Sequence, residues 1–169
     1  MKFDKVQYIN EMKAMIDQAV DKLKKEKTDF EIFTASIWTD PNSTHSSIGF
    51  ESKINSDKQV EESNEWSKKY YDKYVSEGDF EQAKLFEPTG IRNDNPADFE
   101  LSDFVQIENS SFENNWEKNS DGKCWNELEP ILKEMGEYAF IKLQTTKTHS
   151  EFELSVNGRN DWYEFIWKK

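Results

Sequence analysis

Apart from many carboxylates, few residues of this chain could act as nucleophiles or transfer protons. A Cys-His nucleophile pair would need Cys124 to meet His45 or His149 in space. The residues beside Cys124 resemble no nucleophile motif, and a cysteine next to Trp125 is more typical of a small packing residue. Both histidines fall in predicted turns, where imidazoles are usually solvated. We therefore predict no catalytic residue.

The carboxylates form their densest loop cluster at Asp94, Asp98, Glu100 and Asp103. Two such groups suffice for the acid and base of a glycosidase-type reaction, so a carboxylate-based hydrolase of unknown substrate is one alternative function. A calcium loop needs oxygen ligands at alternating positions around a glycine, and no stretch supplies that frame. The six glycines stand singly and form no phosphate-binding loop. We predict no metal site and no cofactor.

The charge of the chain narrows the choice of partner. Its 169 residues carry a formal net charge of -12. Residues 77–138 hold 5 basic and 16 acidic side chains, whereas residues 1–76 hold 12 and 14. A negative field of this kind repels nucleic acid and anionic membranes and attracts basic proteins. The sequence therefore argues against nucleic-acid and membrane binding and favours a basic protein partner.

The acidic middle of the chain also carries aromatic residues. Trp116 stands between Glu113 and Glu117, and aromatic side chains ringed by charge are typical of tight protein interfaces. The predicted partner-binding residues are Asp94, Asp98, Glu100, Asp103, Glu108, Glu113, Trp116 and Glu117. A mimic of nucleic acid would need regularly spaced acids on one face, and the irregular spacing here disfavours it.

The first half of the chain predicts a helix followed by a hairpin. Apolar residues recur every three or four positions over residues 4–27, which is typical of an amphipathic helix. Residues 30–39 are rich in β-branched and aromatic side chains and predict a strand buried on both faces. A short connection joins them to residues 46–51, which predict an antiparallel partner strand.

A second helix is predicted over residues 60–77. Ser56 begins a capping box, and Gly78 is typical of a helix C-terminus. One half of the helical wheel is aromatic and includes Trp66, and the other half is charged. An aromatic face of this size is expected to pack on the sheet, although a partner-binding face is the alternative.

The second half of the chain predicts an irregular segment, a helix and three strands. The segment of about residues 87–122 is acidic and mixes the periodicities of helix and strand. An apolar stripe then predicts a helix over residues 125–137 with Pro130 in its first turn. Strands are predicted over residues 138–145, 151–156 and 162–167. Asn157-Gly158 predicts a tight hairpin turn between the last two strands.

These elements predict an α+β fold. Residues 1–169 are expected to form a single domain in which three main helices pack on an antiparallel sheet of about five strands. The single cysteine allows no internal disulfide, and neither an export signal nor a membrane-spanning apolar run is visible. We therefore expect a cytoplasmic protein.

The first half of the chain resembles a bacterial family of uncharacterised small acidic domains found beside polymorphic toxins. The likeness is carried by the strand Phe33–Asp40, by the stretch Ser46–Gly49 and by the helix that bears Trp66. The closing hairpin with Trp162 and Trp167 departs from the family pattern. The resemblance implies an immunity protein that neutralises a cognate toxin, and a basic nuclease would suit the charge. An uncharacterised structural or adaptor domain is a further alternative.

Overall fold

A computed structural model describes residues 3–88 and 90–169, and it places five strands in one sheet beside several helices. The helices are α1 (Lys5–Glu26), α2 (Lys53–Glu77), α3 (Phe80–Lys84), α4 (Trp116–Asn119) and α5 (Trp125–Leu143), with a 3-10 turn at Pro96–Asp98. The strands are β1 (Ile32–Asp40), β2 (His45–Glu51), β3 (Leu101–Glu108), β4 (Thr148–Val156) and β5 (Phe165–Lys168). The predicted α+β class with a single sheet is confirmed.

The sheet has the strand order β3-β2-β1-β4-β5 and is mixed rather than wholly antiparallel. Strand β1 pairs antiparallel with β2 but parallel with β4, where Ile37 stands opposite Val156. The chain reaches β4 only after β2, β3 and α5, so no short connection forces β4 to run antiparallel to β1. This corrects the predicted sheet.

One face of the sheet packs against α1 and α5. The apolar stripe of α1 is buried, and Tyr8 within it donates or accepts a 2.8 Å hydrogen bond with Thr39 of β1. Thr39 is in turn bonded to Ser46 of β2 at 2.8 Å, and Ser46 donates to Asn109 at 2.7 Å. These polar groups satisfy one another inside an otherwise apolar layer, which we call the core face.

Helix α5 continues through the segment that was predicted to be a strand. Tyr138, Phe140 and Ile141 favour a strand by type, but the stripe that begins at Leu128 extends through Ala139 to Leu143, and all three are buried. Pro130 lies inside the helix rather than in its first turn. Both predictions were wrong because burial on the sheet outweighs local propensity.

The closing hairpin is confirmed, but its tight turn is not. Val156 of β4 pairs with Phe165 of β5, so the chain turns over eight residues rather than two. Asn157 is buried because its side chain accepts from the Thr39 backbone N–H and donates to the Thr39 carbonyl, both at 2.9 Å. Those two bonds tie Asn157 to β1 directly after β4 ends, so it does not form a tight turn with Gly158.

Helix α2 begins seven residues earlier than predicted and does not lay its aromatic face on the sheet. Ser52 caps it by accepting from the Asn55 backbone N–H at 3.1 Å. Trp66, Tyr70 and Tyr74 instead surround Phe86, with ring centroids 5.4–5.6 Å from it. Trp66 stays 55% exposed. The short helix α3 therefore leads into Phe86, which partly covers this face.

Candidate partner-binding surface

The second face of the sheet, which we call the open face, is built from small side chains. Side chains alternate along β1, so Ala35 and Ile37 face the core while Ser36 and Trp38 point to the opposite side. The open face also carries Thr34 of β1, Ser47 and Gly49 of β2, Ser155 of β4 and Ile166 of β5. Apart from Trp38 and Ile166, these residues are too small to form a second apolar core. The two loops of residues 90–100 and 157–164 lie over this face instead.

Arg92 fixes the first of these loops to the sheet. Its guanidinium donates to the Phe33 carbonyl at 2.9 Å, to the Thr34 hydroxyl at 2.6 Å and to the Glu151 carbonyl at 2.7 Å. It also pairs with Glu153 at 3.4 Å and lies 3.6 Å from the centroid of the Phe33 ring. With these donors engaged, Arg92 holds the loop in place and is not free to bind an anion.

Glu51 holds both ends of the same loop to the start of α2. Its buried carboxylate accepts from the Asn93 side chain at 2.7 Å, from the Asn55 side chain at 3.0 Å and from the backbone N–H groups of Ser52 and Glu100. Burial raises the pKa of Glu51 above its ordinary value, and these hydrogen bonds offset part of that rise. Its oxygens are directed at protein donors, which suits an anchor better than the acid of a hydrolase.

The loops and the sheet enclose a small cleft between two tryptophans. The residues that line it are Trp38, Ser47, Asn95, Pro96, Ala97, Asp103 and Trp162, and its volume is about 240 Å³. Trp38 is 37% exposed and Trp162 is 51% exposed. We call this site the tryptophan cleft.

Asp103 reaches the cleft because β3 is irregular at that point. The pairing register of β2 and β3 shifts between Ile48 and Phe50, and Asp103 has a φ of 46°. Gly49 permits the close approach, since a Cβ there would lie 3.1 Å from the Leu101 carbonyl oxygen. An aspartate tolerates the left-handed conformation better than most residues, so the bulge presents an exposed carboxylate beside the indoles.

The loop wall of the cleft is held by its own hydrogen bonds. The Asn95 side chain accepts from the Ala97 backbone N–H at 3.2 Å and donates to the Asp98 carboxylate at 2.6 Å. The Asn93 side chain accepts from the Asn95 backbone N–H, also at 3.2 Å. The cleft is therefore largely pre-formed, which lowers the entropic cost of binding.

The predicted partner-binding residues fall into two groups rather than one surface. Asp94, Asp98, Glu100 and Asp103 are exposed near the loop of residues 90–100. Glu108 ends β3, and Glu113 and Glu117 follow it next to the turn between β1 and β2. Asp103 lies near the start of β3 and Glu108 at its end, so the structure does not bring all of these acids together.

Trp116, the aromatic member of the predicted partner-binding residues, is buried. It is 4% exposed and packs on Phe3 and Phe112, with ring centroids at 4.6 and 5.2 Å. Glu117 is half-buried and accepts hydrogen bonds from Asn42 and from the Trp125 indole. The expectation that Trp116 offers an aromatic surface is therefore corrected, because this indole is part of the core.

The exposed tryptophans that sequence reasoning missed are Trp38 and Trp162. The strand that contains Trp38 was interpreted as buried on both faces, and only its position in the alternation with Ile37 signals the opposite face. Trp162 follows a run of polar residues and was assigned to a strand. A large aromatic inside such a polar loop is the signal that could have revealed it.

Cys124, His45 and His149, the residues considered for nucleophilic chemistry, lie in surroundings that are typical of packing residues. Burial raises the pKa of the Cys124 thiol, which lowers its thiolate fraction. His45 begins β2 and lies beside Trp38, and His149 is in β4 against the edge of Phe33. Their predicted turn positions were wrong.

Comparisons with protein-family models, with curated proteins and with solved structures give no match for this chain. Among the described residues, no helix combines the length and the apolar composition that a membrane crossing requires. The resemblance to toxin-associated domains therefore stays a prediction, and function has to be inferred from the surface itself.

Proposed function

We propose that this protein is a cytoplasmic binding protein that captures a basic protein partner through the tryptophan cleft. The observation that supports it is the pair of indoles, Trp38 and Trp162, exposed at the rim of a pre-formed cleft on the open face. Tryptophans are enriched among the residues that dominate binding energy. Leaving two of them in water is unfavourable unless a partner covers them.

Charge supports a basic partner. Asp94, Asp98, Glu100 and Asp103 surround the loop that forms one wall of the cleft, in a chain of net charge -12. Acids at the rim of an aromatic site accelerate the encounter with a positively charged protein and suppress other partners. The open face thus has an aromatic centre and a polar rim, as specific interfaces commonly do.

The partner class that fits best is a basic toxin, with this chain as its immunity protein. An inhibitor of a basic nuclease binds faster when it carries the opposite charge. It also needs an affinity high enough to keep the toxin bound for as long as the toxin is in the cell. The resemblance of the first half to domains found beside polymorphic toxins supports the same assignment.

The test is affinity capture from a lysate of the source organism at low and moderate salt. The tagged wild-type protein is compared with Trp38→Ala/Trp162→Ala and with Trp66→Ala, which removes an exposed indole of α2 that lies outside the cleft. We expect wild type and Trp66→Ala to retain the same basic protein, and the cleft variant to lose it.

The retained protein is then purified and assayed for toxicity and nuclease activity with and without this chain. Inhibition by wild type but not by the cleft variant would support the immunity role. Equal capture by the cleft variant, or a retained protein that is not basic, would overturn the proposal.

A further inference from the structure

We propose that the tryptophan cleft receives an arginine side chain of the partner, an inference that rests on the proposed function. The volume of about 240 Å³ is smaller than that of pockets for drug-sized ligands, which measure roughly 300–1,000 Å³. A cleft of this size suits a single inserted side chain. The residues that line it include two tryptophans and one acidic residue, Asp103.

The first argument is that both indoles lack a cation. The described residues contain seven cation–π contacts, and all of them use phenylalanine or tyrosine rings, such as Phe33 and Tyr138. Tryptophan is the ring that attracts cations most strongly. The chain therefore leaves Trp38 and Trp162, two of its best cation acceptors, exposed beside a carboxylate.

The second argument is that Asp103 has no partner of its own. None of the ion pairs within residues 3–88 and 90–169 includes it. Its backbone is held in a left-handed conformation, and this exposed residue lines the cleft together with both tryptophans. A positive group between the indoles would therefore meet a carboxylate that has no competing cation.

Arginine fits this site better than lysine. A guanidinium is planar, stacks on an aromatic face and donates two parallel hydrogen bonds to a carboxylate, whereas an ammonium group does neither as well. The same chain already uses this arrangement, because Arg92 lies 3.6 Å from the Phe33 ring centroid and 3.4 Å from Glu153. The tryptophan cleft offers the same two components with the cation missing.

The probe is blocked arginine, N-acetyl-arginine amide, titrated into the isotope-labelled full chain. The indole N–H signals of the six tryptophans are followed by NMR and assigned with Trp38→Phe and Trp162→Phe. We expect saturable shifts of these two signals at millimolar concentration, which is the range for so small a ligand. The Trp66 indole, which is exposed on α2 outside the cleft, provides an internal control.

Two further comparisons identify the chemistry. The leucine amide should leave both signals unmoved, and the lysine amide should bind more weakly than the arginine amide. Asp103→Asn keeps the backbone conformation that asparagine tolerates and should weaken arginine binding about two- to fivefold, as for an exposed ion pair. Asp21→Asn removes an exposed acid of α1 as its matched control and should have no effect.

Three results would overturn the inference. Equal shifts with the leucine amide would mean an apolar site, equal shifts at Trp66 would mean non-specific stacking, and the absence of saturable shifts would mean no arginine site. The titration needs no partner, so its failure is distinguishable from failure of the proposed function. If capture still depends on Trp38 and Trp162 while the arginine amide does not bind, the partner-binding role stands and the arginine inference alone is wrong.

Discussion

The two faces of the sheet are stabilised in different ways. The core face carries large apolar side chains such as Ile37, Phe50 and Phe152 beneath α1 and α5. The open face carries Ser36 and Ser155 beneath loops, and hydrogen bonds of Arg92 and Glu51 hold the loop of residues 90–100 in place. Apolar packing supplies most of the stability of a domain, whereas loops on a rigid scaffold more often carry binding residues. This contrast is why the proposed function places recognition on the open face.

The largest expected effect on stability comes from removing one aromatic side chain from each face and comparing the two losses. Phe152→Ala empties a fully buried site stacked on Phe140, and it should lower the free energy of unfolding by about 3–5 kcal/mol. Trp162→Ala removes an exposed indole and should cost less than about 1 kcal/mol. Urea unfolding of both variants measures the difference. Similar losses would mean that the open face is a second core.

A glycine from each face gives the next comparison. A Cβ at Gly136 of α5 would overlap the Trp167 ring of β5, so Gly136→Ala should destabilise the fold by about 1–3 kcal/mol through overpacking. A Cβ at Gly49 would press on the Leu101 carbonyl, a contact that the β3 bulge can relieve by a small shift. Gly49→Ala should therefore cost less, as thermal unfolding would show. The reverse order would indicate that the bulge is the more rigid element.

Two carboxylates that anchor polypeptide segments should respond to pH in opposite directions. Burial raises the pKa of Glu51, so its contribution to stability is complete below the ordinary value of 4.5 and declines as the pH rises. Burial would also raise the pKa of Glu11, but hydrogen bonds from Ser111, Ser110 and Asn109 outweigh it and lower the pKa. The contribution of Glu11 is therefore present above 4.5 and declines as the pH falls.

Unfolding of Glu51→Gln and Glu11→Gln between pH 3 and 8 tests this contrast. Relative to its glutamine variant, wild type should lose stability with rising pH in the first case and gain it in the second. At neutral pH Glu51→Gln should still cost about 1–3 kcal/mol, because an amide group would face the donating Asn93 side chain. If the stability differences of both variants changed with pH in the same direction, the pKa values of Glu51 and Glu11 would not be shifted in opposite directions.

The fold could be predicted where burial and local preference agree. The stripe of α1 and the strands of the first hairpin satisfy both conditions, so their types and approximate bounds were predicted correctly. Residues 138–143 were not, since their aromatic and β-branched side chains favour a strand while tertiary packing extends α5. The parallel pairing of β1 with β4 depends on long-range packing, which no local pattern records.

The candidate site was predictable in charge but not in shape. The acidic cluster that includes Asp98 and Asp103 was found from composition, and it lies near the loop wall of the cleft. Its aromatic partners come from β1 and from the last loop, more than 50 residues away in either direction. Trp116 was chosen because it is near acids in sequence, yet its indole completes the core. Sequence distance is thus a poor guide to which aromatics share a surface.

The smallest expected effect on stability tests which acids guide the partner. Asp98→Lys/Asp103→Lys and Glu108→Lys/Glu113→Lys each change the net charge by the same amount, so any general field effect is equal in the two variants. Lysine adopts the positive φ of Asp103 less readily, so the first pair should cost about 1 kcal/mol of stability and the second less.

Association with the captured partner should distinguish the two pairs far more than stability does. Charges beside the docking site dominate steering, so reversal at Asp98 and Asp103 should slow association about tenfold at low salt and weaken its salt dependence. Reversal at Glu108 and Glu113 should slow it less, because these acids lie at and beyond the other end of β3, outside the cleft. Stopped-flow kinetics at several salt concentrations provide the measurement. Equal slowing would mean that association depends on net charge alone and that docking does not begin at the tryptophan cleft.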